Sequence, residues 1–469
     1  MLWLLGQNGA ARLLQSCTQV VLAWLLSPAD FGQISLALTV SSLVSALFQL
    51  GLDDVLMQRT KAMRLWYATA FWLSLLASLA SAATLLAIAP AVASVYGEPD
   101  LLWLIACLAL ASPLAALSTV PNAVIRARLA MRSQTILVCG EIVASSLCSI
   151  ALATAHFGVY SFVLALPFVA ALRSLAAWRM AGLSPFAGRR FRRWRVLLPS
   201  ASAVLLTRLL NLLVGQGDYI VFGLTATASQ VGLYYFAFRI AGQPMRLLAG
   251  SVTSILLPTL VHLDPVQQGR AALMVARIMA IVVMPACFLQ AALAGPLLHL
   301  FFGERWQSAK IFIQILSVSL AFDAVSWVVG SLMPARGEFL RALHYVAATA
   351  VAFFVLVVAG SLLNPDYGVP VAVSGYYVLV QPAYSLVVFR RVTRISLRVF
   401  TGIYAAPVLL SGAIVFGTTL LVEDRASDAL KLLLLPGIVL PAYALCIRHV
   451  LPEPCRHVVE RLKTLRRGS

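Results

Sequence analysis

The chain has 469 residues, 61% of them hydrophobic and 11% charged, with a mean hydropathy of +0.92 and a formal net charge of +18. That leaves too little polar surface to clothe a water-facing globule, which excludes an ordinary soluble domain. The basic loops carry no interleaved aromatic stacking platform, so the cation excess points to anionic membrane lipids and not to a nucleic-acid partner.

A helix of about 20 residues spans the roughly 30 Å hydrocarbon layer. Fourteen such stretches are predicted, near 6–26, 33–52, 67–90, 101–123, 135–155, 159–178, 197–219, 231–257, 271–294, 309–333, 342–362, 371–389, 399–421 and 430–447. The first is too long for a cleavable leader and is read as its own anchor. Pro113, Pro121, Pro244, Pro258, Pro285 and Pro334 interrupt spans, where a missing N–H kinks a helix. Six of the seven cysteines fall in spans and Cys455 in the tail, so they read as small core residues and not as disulfide partners.

Arg and Lys collect at alternate gaps. Twenty-five of the thirty-five lie in one set of gaps and the C-terminal tail, among them Arg59, Arg126, Arg189, Arg336, Arg391 and Arg467. The opposite gaps hold only Arg305, Lys310, Arg425 and Lys431. By the positive-inside rule both termini are cytoplasmic. The tail Pro452–Ser469 reads either as a short basic helix on the inner leaflet or as disorder.

The halves are weakly self-similar. Arg12-Leu-Leu-Gln15 matches Arg208-Leu-Leu-Asn211, Phe31-Gly32 matches Val231-Gly232, Tyr96-Gly97-Glu98 matches Phe302-Gly303-Glu304, and Phe157-Gly158 matches Tyr367-Gly368. The offset drifts from 196 to 210 and keeps its order. Each glycine stands at an outer turn, where φ > 0 suits a residue without Cβ. Six spans per half make the repeat parallel, about an axis along the membrane normal. The predicted fold is thus an all-α polytopic membrane protein of fourteen transmembrane helices. Residues 1–178 and 197–389 form two six-helix lobes, 179–196 a basic linker, 399–447 two additional helices, and 448–469 a basic tail.

The stretches LAWLLSPADFGQISLALTVSSLVSALFQLGLDDVLMQ, YATAFWLSLL, VYGEPDLLWLIACLALASPLAALSTVPNAVIRARLAMR and GDYIVFGLTATASQVGLYYFAFRIAGQP resemble the polysaccharide-transport family of the multidrug/oligosaccharidyl-lipid/polysaccharide exporter superfamily. The resemblance covers nearly the whole chain. It implies a bacterial inner-membrane flippase that moves a polyprenyl-diphosphate-linked oligosaccharide to the periplasmic leaflet for capsule, exopolysaccharide or O-antigen assembly, with other polysaccharide-assembly membrane proteins as expected partners. Relatives open with a short polar, basic lead, whereas Met1–Leu5 is already apolar here.

An ionised side chain at mid-span costs about 2.5–3.5 kcal/mol, so it belongs in a wet cavity or beside a partner. Six cations meet that condition. Arg173 and Arg277 lie near cytoplasmic ends, where snorkelling is expected. Arg12, Arg208, Arg239 and Arg246 are the candidate substrate-binding residues, because guanidinium forks grip the oxygens of a diphosphate bidentately. Arg239 and Arg246 are seven apart on span 8, two turns along one face. Asp323, Glu141 and Asp218 are the candidate ion-pair or ion-coupling carboxylates; Asp323 either pairs with an Arg or is protonated. Asp53 and Asp54 close span 2, and Gln49, Asn122 and Asn211 are weaker candidates for sugar hydroxyls.

No H-E-x-x-H, C-x-x-C or phosphate-loop glycine motif occurs, so no metal, cofactor or catalytic residue is predicted. A glycan polymerase or ligase would carry a large outer loop with catalytic groups, and the outer gaps are short. A drug/cation antiporter of the same superfamily would favour twelve spans and acidic sites. A lipid II flippase shares the span count and cationic cavity and stays open as an alternative.

Overall fold

The computed structural model describes residues 14–15, 17–48, 63–128, 130–182, 202–422 and 426–450. Arg12, Asp53, Asp54, most of the 179–196 linker and the tail from Pro452 lie outside them. The described residues form helices α1 (Pro28–Phe48), α2 (Met63–Tyr96), α3 (Asp100–Ala116), α4 (Thr119–Ala127), α5 (Met131–Thr154), α6 (Tyr160–Ala181), α7 (Ser202–Thr225), α8 (Ala228–Ala241), α9 (Gln243–Val261), α10 (Pro265–Phe301), α11 (Ala309–Leu320), α12 (Ala324–Ala335), α13 (Phe339–Leu363), α14 (Gly368–Gly375), α15 (Gln381–Thr393), α16 (Leu397–Val422) and α17 (Asp428–Val450). No strand occurs among them. Ten helical segments are long and apolar enough to cross a membrane, and the bent pair α3/α4 makes up to eleven. Large apolar side chains such as Trp103, Leu363 and Leu433 point outward, as hydrocarbon solvent allows.

Two compact units make up the chain, residues 1–232 and 233–469. In the first, α7 packs against α1, and α3 against α2 and α6. In the second, small residues let helices approach closely: Ala272, Ala276 and Ala280 of α10 pack with Val325, Val328 and Leu332 of α12 and Phe389 of α15.

Helix starts follow from capping chemistry. Before α1, the Ser27 N–H donates to Asp30 Oδ2 (2.8 Å) and the Asp30 N–H returns a bond to Ser27 Oγ (3.2 Å). Before α8, Thr227 and Gln230 repeat that reciprocal box at an offset of 200. Asp264 caps α10 through the N–H groups of Val266 and Gln267, with Pro265 at the first position, where its lack of an N–H costs nothing.

The glycine expectation needs correction. Gly97, Gly158 and Gly303 are left-handed, but Gly32, Gly232 and Gly368 are not. A methyl built at Gly32 would lie 1.8 Å from the Ala228 carbonyl oxygen, and one at Gly232 the same distance from that of Pro28. These glycines are needed for close backbone approach, not for φ.

Two predicted spans are broken, 101–123 between α3 and α4 and 231–257 at Gly242, and two more change helix type without breaking. Span 231–257 is two helices, α8 and α9, separated at Gly242. Span 309–333 contains a 3₁₀ turn at Ala321–Asp323, and span 371–389 contains a π-helical segment at Tyr376–Val380.

Candidate functional site

The α3/α4 break begins with two prolines. Pro121 has no N–H for the Leu117 carbonyl four residues back, and the Trp178 indole of α6 donates there instead (2.9 Å). The Ser118 N–H turns to Ala115, and Ser174, one turn before Trp178, donates to the Leu114 carbonyl (2.6 Å). Side-chain donors from α6 thus satisfy carbonyls that a 40° bend releases.

That bend brings Ser118, Thr119, Asn122 and Arg126 to a cavity of about 590 Å³ lying wholly within the first unit. Each surrounding helix gives it one face. Helix α1 contributes Ser41, Ser42 and Ser45; α2 contributes Ser74, Ser78 and Ser81 at helical spacing; α3 contributes Ser112; α5 contributes Glu141 and Ser145; α6 contributes Arg173. Nine serines and Thr119 line this half-open space, together with apolar residues such as Leu38, Phe48, Leu108 and Leu166. Some are satisfied locally: Ser78 donates to the Leu75 carbonyl and Ser118 to that of Ala115. Others are not. Ser41 Oγ, Ser81 Oγ, Asn122 Oδ1 and Arg173 Nε are buried without a protein partner.

Arg173 Nη1 lies 3.0 Å from Glu141 Oε2. The guanidinium therefore turns into the cavity toward α5, which replaces the snorkelling expected for it.

The other candidate binding and ion-pair residues that the structure describes lie on α7, α8, α9 and the 3₁₀ turn before α12. Arg208 is on α7, with its side chain outside the described set. In the second unit Arg239, in the last turn of α8, donates to the Tyr235 hydroxyl (2.6 Å) with its guanidinium 5.5 Å from that ring's centre. Arg246, on α9, donates to the Arg239 carbonyl, so the two stay neighbours although they are on separate helices. Asp218 of α7 is buried. Asp323 ends the 3₁₀ turn and accepts from Trp327 Nε1 (2.8 Å), with no Arg partner among the described residues. Around it Gln381 donates to the Tyr376 hydroxyl (2.9 Å), and the Ser326 and Ser385 hydroxyls are 3.2 Å apart.

Of the candidates for sugar hydroxyls, Asn122 lies in this cavity, whereas the serines around it were not among the sequence candidates. Their signal was there in Ser74, Ser78 and Ser81, one face of an otherwise apolar span.

A family model described as polysaccharide biosynthesis protein matches residues 21–311. The chain belongs to that family. Within this polysaccharide biosynthesis family, it is 27% identical to the succinoglycan biosynthesis transport protein ExoT of Rhizobium meliloti (strain 1021), over 65% of this chain and 62% of that protein, so the match spans less than two thirds of that relative. It is 22% identical to the lipopolysaccharide biosynthesis protein WzxC of Escherichia coli (strain K12), over 77% of this chain and 76% of that protein. Among solved structures, the fold is similar to the lipid II flippase MurJ in an inward closed conformation, with TM-score 0.76, 11% identity and coverage of 95% and 98% of the two chains. It is also similar to an inward-facing multidrug resistance MATE family transporter of the MOP superfamily, with TM-score 0.62, 15% identity and coverage of 81% and 96%.

Proposed function

We propose that the protein is a flippase that carries a polyprenyl-diphosphate-linked oligosaccharide across the bacterial inner membrane for polysaccharide assembly, by alternating access and without chemical conversion. The observation that carries this reading is a hydroxyl-lined cavity inside apolar helices of a polysaccharide biosynthesis family member. A glycan headgroup is poorly solvated by hydrocarbon and needs such a polar substitute for water. The names of the two sequence relatives, one a transport protein, support the same cargo class.

In this reading fourteen spans form two six-helix lobes, residues 1–178 and 197–389, with 399–447 trailing and both termini cytoplasmic. The reciprocal capping boxes and glycine crossing at an offset of 200 support the repeat. Arg12, Arg208, Arg239 and Arg246 hold the diphosphate through charge-assisted bonds. Asp323, Glu141 and Asp218 serve as ion-pair or ion-coupling carboxylates. Anionic leaflet lipids attract the basic loops, and other polysaccharide-assembly proteins receive the cargo.

Deleting the gene is expected to leave a lipid-linked saccharide on the inner leaflet, and Arg208→Ala or Arg239→Ala to abolish export while protein remains in the membrane. Lys replacements restore export only in part, because a point charge lacks the guanidinium fork. Normal polymer output from both Ala variants would refute their role. Accumulation of peptidoglycan precursor instead would identify a lipid II flippase.

A further inference from the structure

We infer that the first-unit cavity is a saccharide subsite, binding the sugar units of the cargo through their hydroxyl groups. This rests on the flippase reading, and it assigns the sugars to residues other than the four arginines proposed for the diphosphate.

The lining decides which part of the cargo fits. A phosphate offers acceptors only, and it repels carboxylates. The lining offers both kinds of partner: Glu141 accepts, Arg126 and Arg173 donate, and Asn122 and the serine hydroxyls do either. Leaving such groups unsatisfied in a low-dielectric interior is costly. A polyol supplies donors and acceptors together. Glu141, which accepts, and Arg173, which donates, stand 3.0 Å apart and can address neighbouring hydroxyls of one ring while their charges largely cancel, and Arg126 adds one further cation to the lining.

Serines in membrane helices also serve to join helices. Joining serines are strung along one seam between two helices, whereas Ser41, Ser42 and Ser45 of α1, Ser74, Ser78 and Ser81 of α2 and Ser145 of α5 gather around one cavity. The volume of about 590 Å³ falls within the roughly 300–1,000 Å³ range of small-molecule sites. It suits a short saccharide, while the long polyprenyl chain stays in the bilayer.

The test uses full-length protein extracted from its own host in mild detergent and weighed by native mass spectrometry, with and without added undecaprenyl diphosphate. Wild-type protein is expected to carry a lipid-linked saccharide. Filling the cavity with Ser78→Leu and Ser112→Leu should lower the saccharide-bearing fraction on the order of tenfold or more and leave binding of added undecaprenyl diphosphate unchanged. Ser45→Ala with Ser74→Ala removes only hydroxyls and guards against a folding defect; it should weaken the same adduct several-fold. Undiminished saccharide adducts on both variants would overturn the inference and leave the flippase reading intact. Equal loss of both ligands would also overturn it, since the cavity would then hold the whole headgroup. A wild-type protein with no lipid-linked saccharide would refute the flippase reading itself.

Discussion

At the scale of single residues, two carboxylates do different work. Glu141 and Arg173 form one pair at 3.0 Å, with side chains 36% and 25% exposed. That exposure lets solvent screen the pair, so its coupling belongs near the low end for contacting residues, about 1 kcal/mol. Thermal unfolding of Glu141→Gln, Arg173→Met and the double variant should show the double costing less than the sum of the singles; strict additivity would mean that the pair contributes nothing. Glu338 sits between α12 and α13, with Arg336 Nε and Arg341 Nη1 each 3.3 Å and Arg391 Nη2 3.4 Å from its oxygens. Burial pushes its carboxyl up, but the bonds from Arg341 and Arg336 and the charge of Arg391 outweigh it and hold it below the usual carboxylate range. A depressed pKa stabilises the fold above the unfolded value, about 4.3, and that contribution is lost as pH falls through the folded value. Melting temperature should therefore decline on acidification below about pH 4.3, and Glu338→Gln should lower it at neutral pH while flattening that decline.

At the scale of helices, the crossing of α1 and α8 gives a sharp expectation. Gly32→Ala or Gly232→Ala places a methyl 1.8 Å from a backbone oxygen, which has no flexible atom to yield. The cost should be on the order of 3 kcal/mol, read as lost monodisperse protein and a lower melting temperature. Gly417→Ala and Gly437→Ala, in helices with open space around the new methyl, should be neutral or stabilising by about 0.5–1 kcal/mol. Trp178→Phe strips the indole N–H from the Leu117 carbonyl that Pro121 leaves open, and should cost about 1 kcal/mol. These cases also mark what the sequence could reveal. Apolar length located the membrane helices because hydropathy is a local property, and a cap such as Ser27-x-x-Asp30 is local too, since it involves only neighbours. The Gly242 break stands beside Pro244, a local signal, whereas the true reason for Gly32 is the Ala228 carbonyl far along the chain. Serine is ambiguous in one dimension, since one hydroxyl can bond its own helix, a neighbour or a guest; only the helices' arrangement shows that Ser41 and Ser81 face a cavity. Of the lining, charge picked out Glu141 and Arg173 and amide chemistry picked out Asn122, while the serines carried no such mark.

For the molecule as a whole, orientation is written in the distribution of cations. Twenty-five Arg and Lys residues lie in one set of gaps and the tail, against four in the other set. Each cation held near the anionic cytoplasmic leaflet gains about 1 kcal/mol, and its transfer through the bilayer opposes both the desolvation penalty and the membrane potential. The asymmetry is spread over many short loops, so no single loop should control it, and removing one cluster should not invert the chain. A fluorescent protein fused after Ser469 should fold and emit, and alkaline phosphatase at the same point should be inactive. Phosphatase inserted after Glu304, in the 3₁₀ segment Glu304–Trp306, should be active. Replacing Arg390, Arg391, Arg394 and Arg398 together should leave that pattern unchanged. Phosphatase activity after Ser469 would place the C-terminus outside, and the direction of transport argued from this topology would have to be reversed with it.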